Sequence, residues 1–197
     1  MAAHGDATMD IEYWKTLSQS MPRMPRSHGK PPVLPDDTSI AAAEKQLRCK
    51  LPVGYIEFVK HFGPGELAWK YKIKAPGYPE RGEFADLVTF HNTIQAQRKA
   101  AGSSRHLPNP SDADQLQAMV FFCETSNGEI IGWNRLEVEN ESQHEYGIYL
   151  WNRDLRLVKI ADAFQDFGED VCLSEENIKL PGWDEEECGP RRIFDPA

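Results

Sequence analysis

The 197-residue chain has six histidines, four cysteines and 31 acidic residues from which an active site would have to be assembled. Their spacing does not assemble one. Cys49, Cys123, Cys172 and Cys188 stand far apart, with no Cys-x-x-Cys pair and no close Cys/His set, whereas structural zinc sites bring their ligands in such pairs. They read as free thiols of a reducing compartment. Gly63-Pro64-Gly65 lacks the lysine and serine of a phosphate-binding loop and follows a helical pattern, where such a loop should precede one. Neither Gly-x-Ser-x-Gly nor His-Glu-x-x-His occurs. His61 and His91 are isolated, and Glu129 stands alone in a turn, where a carboxylate serves turn chemistry. The expectation is a non-enzymatic protein with no catalytic residue, no metal and no cofactor.

The spacing does offer a contact surface. Glu137, Glu139 and Glu141 alternate, so an extended backbone places them on one face, and Glu145 follows. With Glu129, Trp133, Trp151 and Asp154 from the neighbouring turns and strands, they make up the expected partner-binding set. Charge supports it. Residues 1–105 hold 15 Lys/Arg against 11 Asp/Glu, whereas residues 106–197 hold 7 against 20, a net of −13 in a chain of net −9. Such a field repels nucleic acid and draws a basic partner, although a solvated acidic surface with no partner commonly gives the same counts. The alternation Trp69-Lys70-Tyr71-Lys72-Ile73-Lys74 has the composition of a single-strand nucleic-acid platform, but a lysine row also keeps a sheet face solvated, and no basic footprint covers the domain. No nucleic-acid partner is expected.

The elements that must position these residues are legible. From Leu51 to Leu67 the chain spells a helix with its start, stripe and stop: Pro52 suits the first turn, Tyr55, Ile56, Val59 and Phe62 make an apolar stripe, and Gly63-Pro64 ends it at Phe62. Upstream, Asp36 to Ser39 offer N-caps to a helix whose stripe is Ile40, Ala43 and Leu47. Asp10 to Met21 forms a short amphipathic helix that docks on the domain. Residues 22–35 carry five of the 14 prolines with Arg23, Arg26 and Lys30 between them, an extended arm. Phe84 to Ala101 is helix-containing, and Gly102 to Asp114 reads as loop. Asn127-Gly128 predicts a type I′ hairpin between Val120-Phe121-Phe122 and Ile130-Ile131-Gly132-Trp133, and Asn152-Arg153-Asp154 a second one. Asp162 is placed to cap a closing helix bearing Phe164 and Phe167. The organisation expected is residues 1–35 as helix and arm, 36–173 as one α+β domain, and 174–197 as an acidic surface tail. Met1 to Asp6 lacks the basic flank and apolar segment of a secretory signal, and no apolar run approaches the ~20 residues of a membrane span; a cytoplasmic protein without a membrane partner is expected.

The Leu51 to Leu67 block resembles the signature of the SMI1/KNR4 superfamily, also called SUKH: a short helix, Leu-Pro, a tyrosine-containing helix, an aromatic-Gly-x-Gly turn and a strand. Ser39 to Leu47 is similar to the family's first helix, Val120 to Asn134 to its hairpin with a Gly-acid turn, and Tyr146 to Leu173 to its closing strands and phenylalanine-bearing helix. The resemblance covers about residues 38 to 173. It implies one mostly antiparallel, twisted sheet with helices packed around it. It also implies a protein-binding role, either as an immunity protein that neutralises a cognate bacterial toxin domain, often a basic nuclease, or as an intracellular adaptor in cell-wall or regulatory signalling. For the adaptor, Pro22-Arg23-Met24-Pro25-Arg26 has the spacing of a polyproline ligand.

Overall fold

A computed structural model describes residues 12–23, 34–78, 86–102, 111–174 and 193–196. The punctuated helix is α3, Val53–Phe62, with Pro52 at its N-cap and Gly63 at its end, where φ is +75°. Tyr55, Phe58, Val59 and Phe62 are buried, and Ile56 only partly. Before it come α1 (Glu12–Ser20) and α2 (Asp37–Leu47); the Asp36 carboxylate accepts the Ser39 N–H at 2.7 Å, and Ile40, Ala43 and Leu47 face inward. After it come β1 (Gly65–Leu67), β2 (Tyr71–Ile73), α4 (Leu87–Gly102), α5 (Ser111–Ala118), β3 (Met119–Thr125), β4 (Ile130–Asn140), β5 (Glu145–Trp151) and β6 (Leu157–Ala161). A short α6, Phe164–Asp166, runs into a π-helical turn, Phe167–Cys172, and β7 is Phe194–Pro196.

The strands form one antiparallel sheet in the order β6-β5-β4-β3-β2-β1-β7. Its central strands are buried on both faces, so they read as continuous apolar runs. Alternation divides them. Val120 and Phe122, Ile131 and Trp133, and Ile148 and Leu150 join the core of α1, α2, α3 and α6. Met119 and Phe121, Ile130 and Tyr149 join a second cluster with Phe90 and Ile94 of α4 and Leu116 of α5. The architecture is the expected α+β sheet with helices around it. Among the described residues no helix is long and apolar enough to cross a membrane.

One side chain ties the first layer together. Glu145 is only 2% exposed. One carboxylate oxygen accepts the Gly54 N–H at 2.8 Å, and the other accepts the Phe164 N–H at 3.0 Å. Neither α3 nor α6 has a side-chain cap of its own, because Pro52 and Ala163 hold those positions. Asp162, expected to cap α6, pairs with Lys159 instead. Burial raises the Glu145 pKa, and the two backbone donors oppose that rise.

Both ends of the described chain enter the same core. Trp14 is packed edge-on against Phe58 and Phe62, at 5.1 and 6.4 Å between ring centroids, as a docked α1 requires. It lies so close to Gly168 that a β-carbon there would stand 2.2 Å from the indole. Phe194 meets Phe62 at 5.0 Å, and its N–H donates to the Pro22 carbonyl at 3.1 Å. Residues 194–196 thus belong to the sheet and not to a surface tail, while the acidic run Asp184 to Glu187 lies outside the described residues.

Four other expectations are corrected. Residues 111–118 are helical, because Asp112 and Asp114 suit a first turn and Leu116 anchors it, although no apolar stripe announces it. One lysine of the row does not stay solvated: Lys74 is 1% exposed, its ammonium 4.7 Å from the Phe90 ring centroid and 3.8 Å from Glu124, since β2 lies inside the sheet with Phe90 of α4 over Lys74, while Lys70 and Lys72 are half-buried. Trp69 and Lys70 fall in the turn before β2. In the first hairpin only Gly128 has positive φ, +80°. Gly128 N–H donates to the Thr125 carbonyl and Thr125 N–H to the Glu129 carbonyl, which is a three-residue loop and not a type I′ turn.

His91 joins α4 to β3 by accepting the Phe121 N–H on Nδ1 at 3.3 Å. Burial, helped by the charge of Arg135, lowers its pKa to about 4. Two outcomes follow from these contacts. Glu145→Gln keeps the shape but offers a single acceptor atom to two N–H groups, so it should lower stability by about 1–3 kcal/mol in urea denaturation at pH 7; an unchanged midpoint would remove the double cap from the account. The folded pKa of His91 lies below its ordinary value, so its contribution is present above about pH 6.5 and lost as pH falls through about 4. Between pH 7.5 and 5 the urea midpoint of the native chain should therefore fall further than that of His91→Gln, and equal slopes would contradict the buried neutral imidazole.

Candidate protein-contact surface

The residues expected to form a contact surface separate into three groups. Trp133 and Glu145 are core residues. Trp133 is fully buried, stacked on Phe122 at 4.9 Å and tilted against Tyr55 at 5.2 Å, and Glu145 caps two helices. Glu129 is also buried: its N–H donates to the Thr125 hydroxyl oxygen at 3.1 Å, and its carboxylate accepts that hydroxyl at 3.2 Å. These three are corrected from surface to interior. Each was placed outside by neighbours in sequence, whereas strand pairing turns it inward.

The second group is a charged cluster on the sheet. Lys159 of β6 donates to Glu137 at 2.6 Å and also to Glu139, and pairs with Asp162 at 2.8 Å. The Tyr149 hydroxyl donates to the other oxygen of Glu137. Glu137 and Glu139 do share a face, since one lysine reaches both. Gly147 of β5 leaves the room, because a β-carbon there would lie 2.9 Å from the Glu137 carboxylate and 3.1 Å from Cε of Lys159. Partial burial lowers the Lys159 pKa, but the three carboxylates outweigh it and raise the pKa overall. Tyr149 is pushed up to about 12 by burial and by Glu137. Against the upward pull of burial, Lys159 and Tyr149 hold the Glu137 carboxyl below its usual range. A general base or nucleophile needs a pKa moved toward neutrality, and each of these three groups moves away from it. The cluster is electrostatic framework.

The third group makes no ion pair among the described residues. Glu141, in the turn between β4 and β5, and Asp154, in the turn between β5 and β6, are exposed. Trp151 is half-buried and stacked on Phe121 at 6.2 Å. The structure adds two residues that the sequence reading passes over. Leu136 is 78% exposed and Val138 46%, both on β4. The signal is a change of phase: the inward residues Ile131 and Trp133 are odd-numbered, whereas the apolar residues further along are even-numbered, and the pairing with β5 shifts between Trp133 and Val138.

The three cysteines within the described residues, Cys49, Cys123 and Cys172, are free thiols. Burial raises the pKa of all three, the opposite of what a nucleophilic thiol needs. No group of three or more His, Cys, Asp or Glu among the described residues is placed to hold a metal ion.

A family model described as SMI1-KNR4 cell-wall, of the SUKH group, matches residues 37–167. No curated protein and no solved structure matches the chain. The matched segment runs from the first residue of α2 to the start of the π-helical turn, so it takes in α3, the six strands β1 to β6 and the charged cluster on them. With about two thirds of its length inside that match and the sheet-and-helix arrangement that its motifs imply, the chain belongs to the SMI1-KNR4 cell-wall family.

Proposed function

We propose that this chain is an immunity protein that binds and neutralises a cognate bacterial toxin domain whose surface is basic. The coarser part of this reading follows from the family, whose SMI1/KNR4-type domain is a protein-interaction module and generally not an enzyme. The observation that carries the finer part is the placement of charge. The half of the chain with net −13 supplies β3 to β6, and its carboxylates at the hairpin turns, Glu141 and Asp154, are exposed and uncompensated by any ion pair among the described residues. A nuclease binds phosphate backbones with a basic surface, and an acidic surface both covers such a site and accelerates encounter.

The adaptor reading has less support. Pro22 and Arg23, the first two residues of its Pro-x-x-Pro spacing, are engaged in the fold: the Pro22 carbonyl accepts the Phe194 N–H, and the Arg23 guanidinium donates to the His61 carbonyl at 3.0 Å and lies 5.2 Å from the Phe62 ring centroid. Residues 24–33 lie outside the described residues.

Co-expression with toxin domains encoded beside its gene tests the proposal. The native chain should restore growth against one of them. The double variant Glu141→Lys, Asp154→Lys should slow association with that domain by about tenfold or more at low salt, a loss that shrinks as salt screens both proteins. Failure of the native chain to rescue growth against every such toxin would sink the immunity reading.

A further inference from the structure

One edge of the sheet is open. β6, Leu157–Ala161, stands first in the strand order and pairs only with β5 among the described residues. Its register sets Tyr149, Leu150 and Trp151 opposite Lys159, Val158 and Leu157, and the Asn152 N–H donates to the Arg156 carbonyl at 3.0 Å. Facing residues of an antiparallel ladder alternate between those that exchange hydrogen bonds and those that do not. Val158, two residues on from Arg156, therefore turns its N–H and C=O toward β5, whereas Leu157 and Lys159 turn theirs to the open side. Two donors and two acceptors stand in line there, spaced to receive an added strand. Ile160 and Ala161 pack against the first core, which holds β6 in place.

A lysine in the middle of an edge strand is a usual guard against added strands. Lys159 does not act as one, because Glu137, Glu139 and Asp162 share its ammonium. One positive charge among three carboxylates leaves two negative charges in surplus. The surplus lies on the face to which Lys159 points: Tyr149, opposite Lys159 in the ladder, donates to Glu137 on that face. A strand laid against β6 puts every second side chain on the same face, about 5 Å from its neighbour on β6. A second copy of this chain would bring the same surplus and be repelled, whereas a strand with lysine or arginine at alternate positions would be drawn in. We infer that β6 is a docking edge that takes one strand of a basic partner protein, paired through the main-chain groups of Leu157 and Lys159. The inference rests on the reading of a basic protein partner above and adds the mode of contact.

Three short synthetic strands test it against the isotopically labelled full chain: one alternating valine and lysine, one with glutamate in place of lysine, and the lysine strand N-methylated at every residue. The lysine strand should slow hydrogen exchange at the Leu157 and Lys159 amides by about tenfold or more, and leave Val158, already bonded to β5, unchanged. Neither the glutamate strand nor the N-methylated one should protect them. The double variant Glu139→Gln, Asp162→Asn removes the surplus and keeps the pair of Lys159 with Glu137, so it should bind the lysine strand about tenfold more weakly. An otherwise unchanged amide spectrum verifies the fold of that variant. Unchanged exchange at Leu157 and Lys159, equal protection by either control strand, or full affinity of the double variant would each overturn the docking edge. Toxin neutralisation separates this inference from the functional reading: if the native chain neutralises no toxin but the lysine strand protects β6, only the immunity reading falls. If a toxin is neutralised while Leu157 and Lys159 exchange as fast in its complex as in the chain alone, only the docking edge falls.

Discussion

A carboxylate inside an apolar core is stable only when its oxygens are hydrogen-bonded, and Glu145 meets that condition with two helix N-termini. Each terminus brings unpaired N–H groups and the positive end of its peptide dipoles, and neither brings a side chain able to satisfy them. The requirement is therefore mutual: the strand needs donors, and the helices need an acceptor. Because the acceptor is one residue of β5, it fixes α3 and α6 relative to each other and to the sheet. The rings on those helices then meet at contact distance, Tyr55 against Phe164 at 5.4 Å and Phe58 against Phe164 at 5.5 Å.

From that joint the aromatic core grows outward. Phe122 and Trp133 stack beneath Tyr55, while Trp14 and Phe194 close on Phe58 and Phe62 from opposite ends of the chain. Stacked and edge-to-face pairs of this kind contribute about 0.5–1.5 kcal/mol each beyond the area they bury, and they are directional, so they specify orientation as well as cohesion. Two hollows make the approach possible: Gly168 admits the Trp14 indole, and Gly65 admits the Phe194 ring. The opposite face of the sheet is built more simply, from α4 and α5 laid over a smaller cluster that ends where the Lys159 network begins.

Local physics made much of this readable in advance. Asp36 as a cap, Ile40, Ala43 and Leu47 as a stripe, and Gly63-Pro64 as a stop all depend on neighbours within a turn or two, and each stands where periodicity places it. What escaped depends on distant partners. Glu145 sits in a run of glutamates and looks solvated until it is paired with Gly54, 91 residues away. Lys74 reads as solvated because one face of an isolated strand is assumed to meet solvent, whereas interior strands of this sheet are covered on both faces; Trp133 reads as a contact residue from the turns and charges beside it, and lies in the core. The outward Leu136 was legible in principle, as a break in phase within β4. Of the expected contact set, Glu141 and Asp154 keep open positions, Glu137 and Glu139 are shared with Lys159, and Trp151 is half covered.

The pairing of β1 with β7 joins Gly65 to Pro196 and is the most distant in sequence of the strand pairings in the sheet. On a chain synthesised from its N-terminus, every other pairing has its partner available earlier. Until residue 194 emerges, the outer edge of β1 has no strand beside it, and the rings of Phe58 and Phe62 lack their last cover. The nascent domain thus passes through a stage with an open sheet edge next to exposed aromatics, the combination most prone to pairing with another chain. Completion of the fold is in this sense a timing problem: the final three-residue strand is the step that ends the chain's exposure to aggregation.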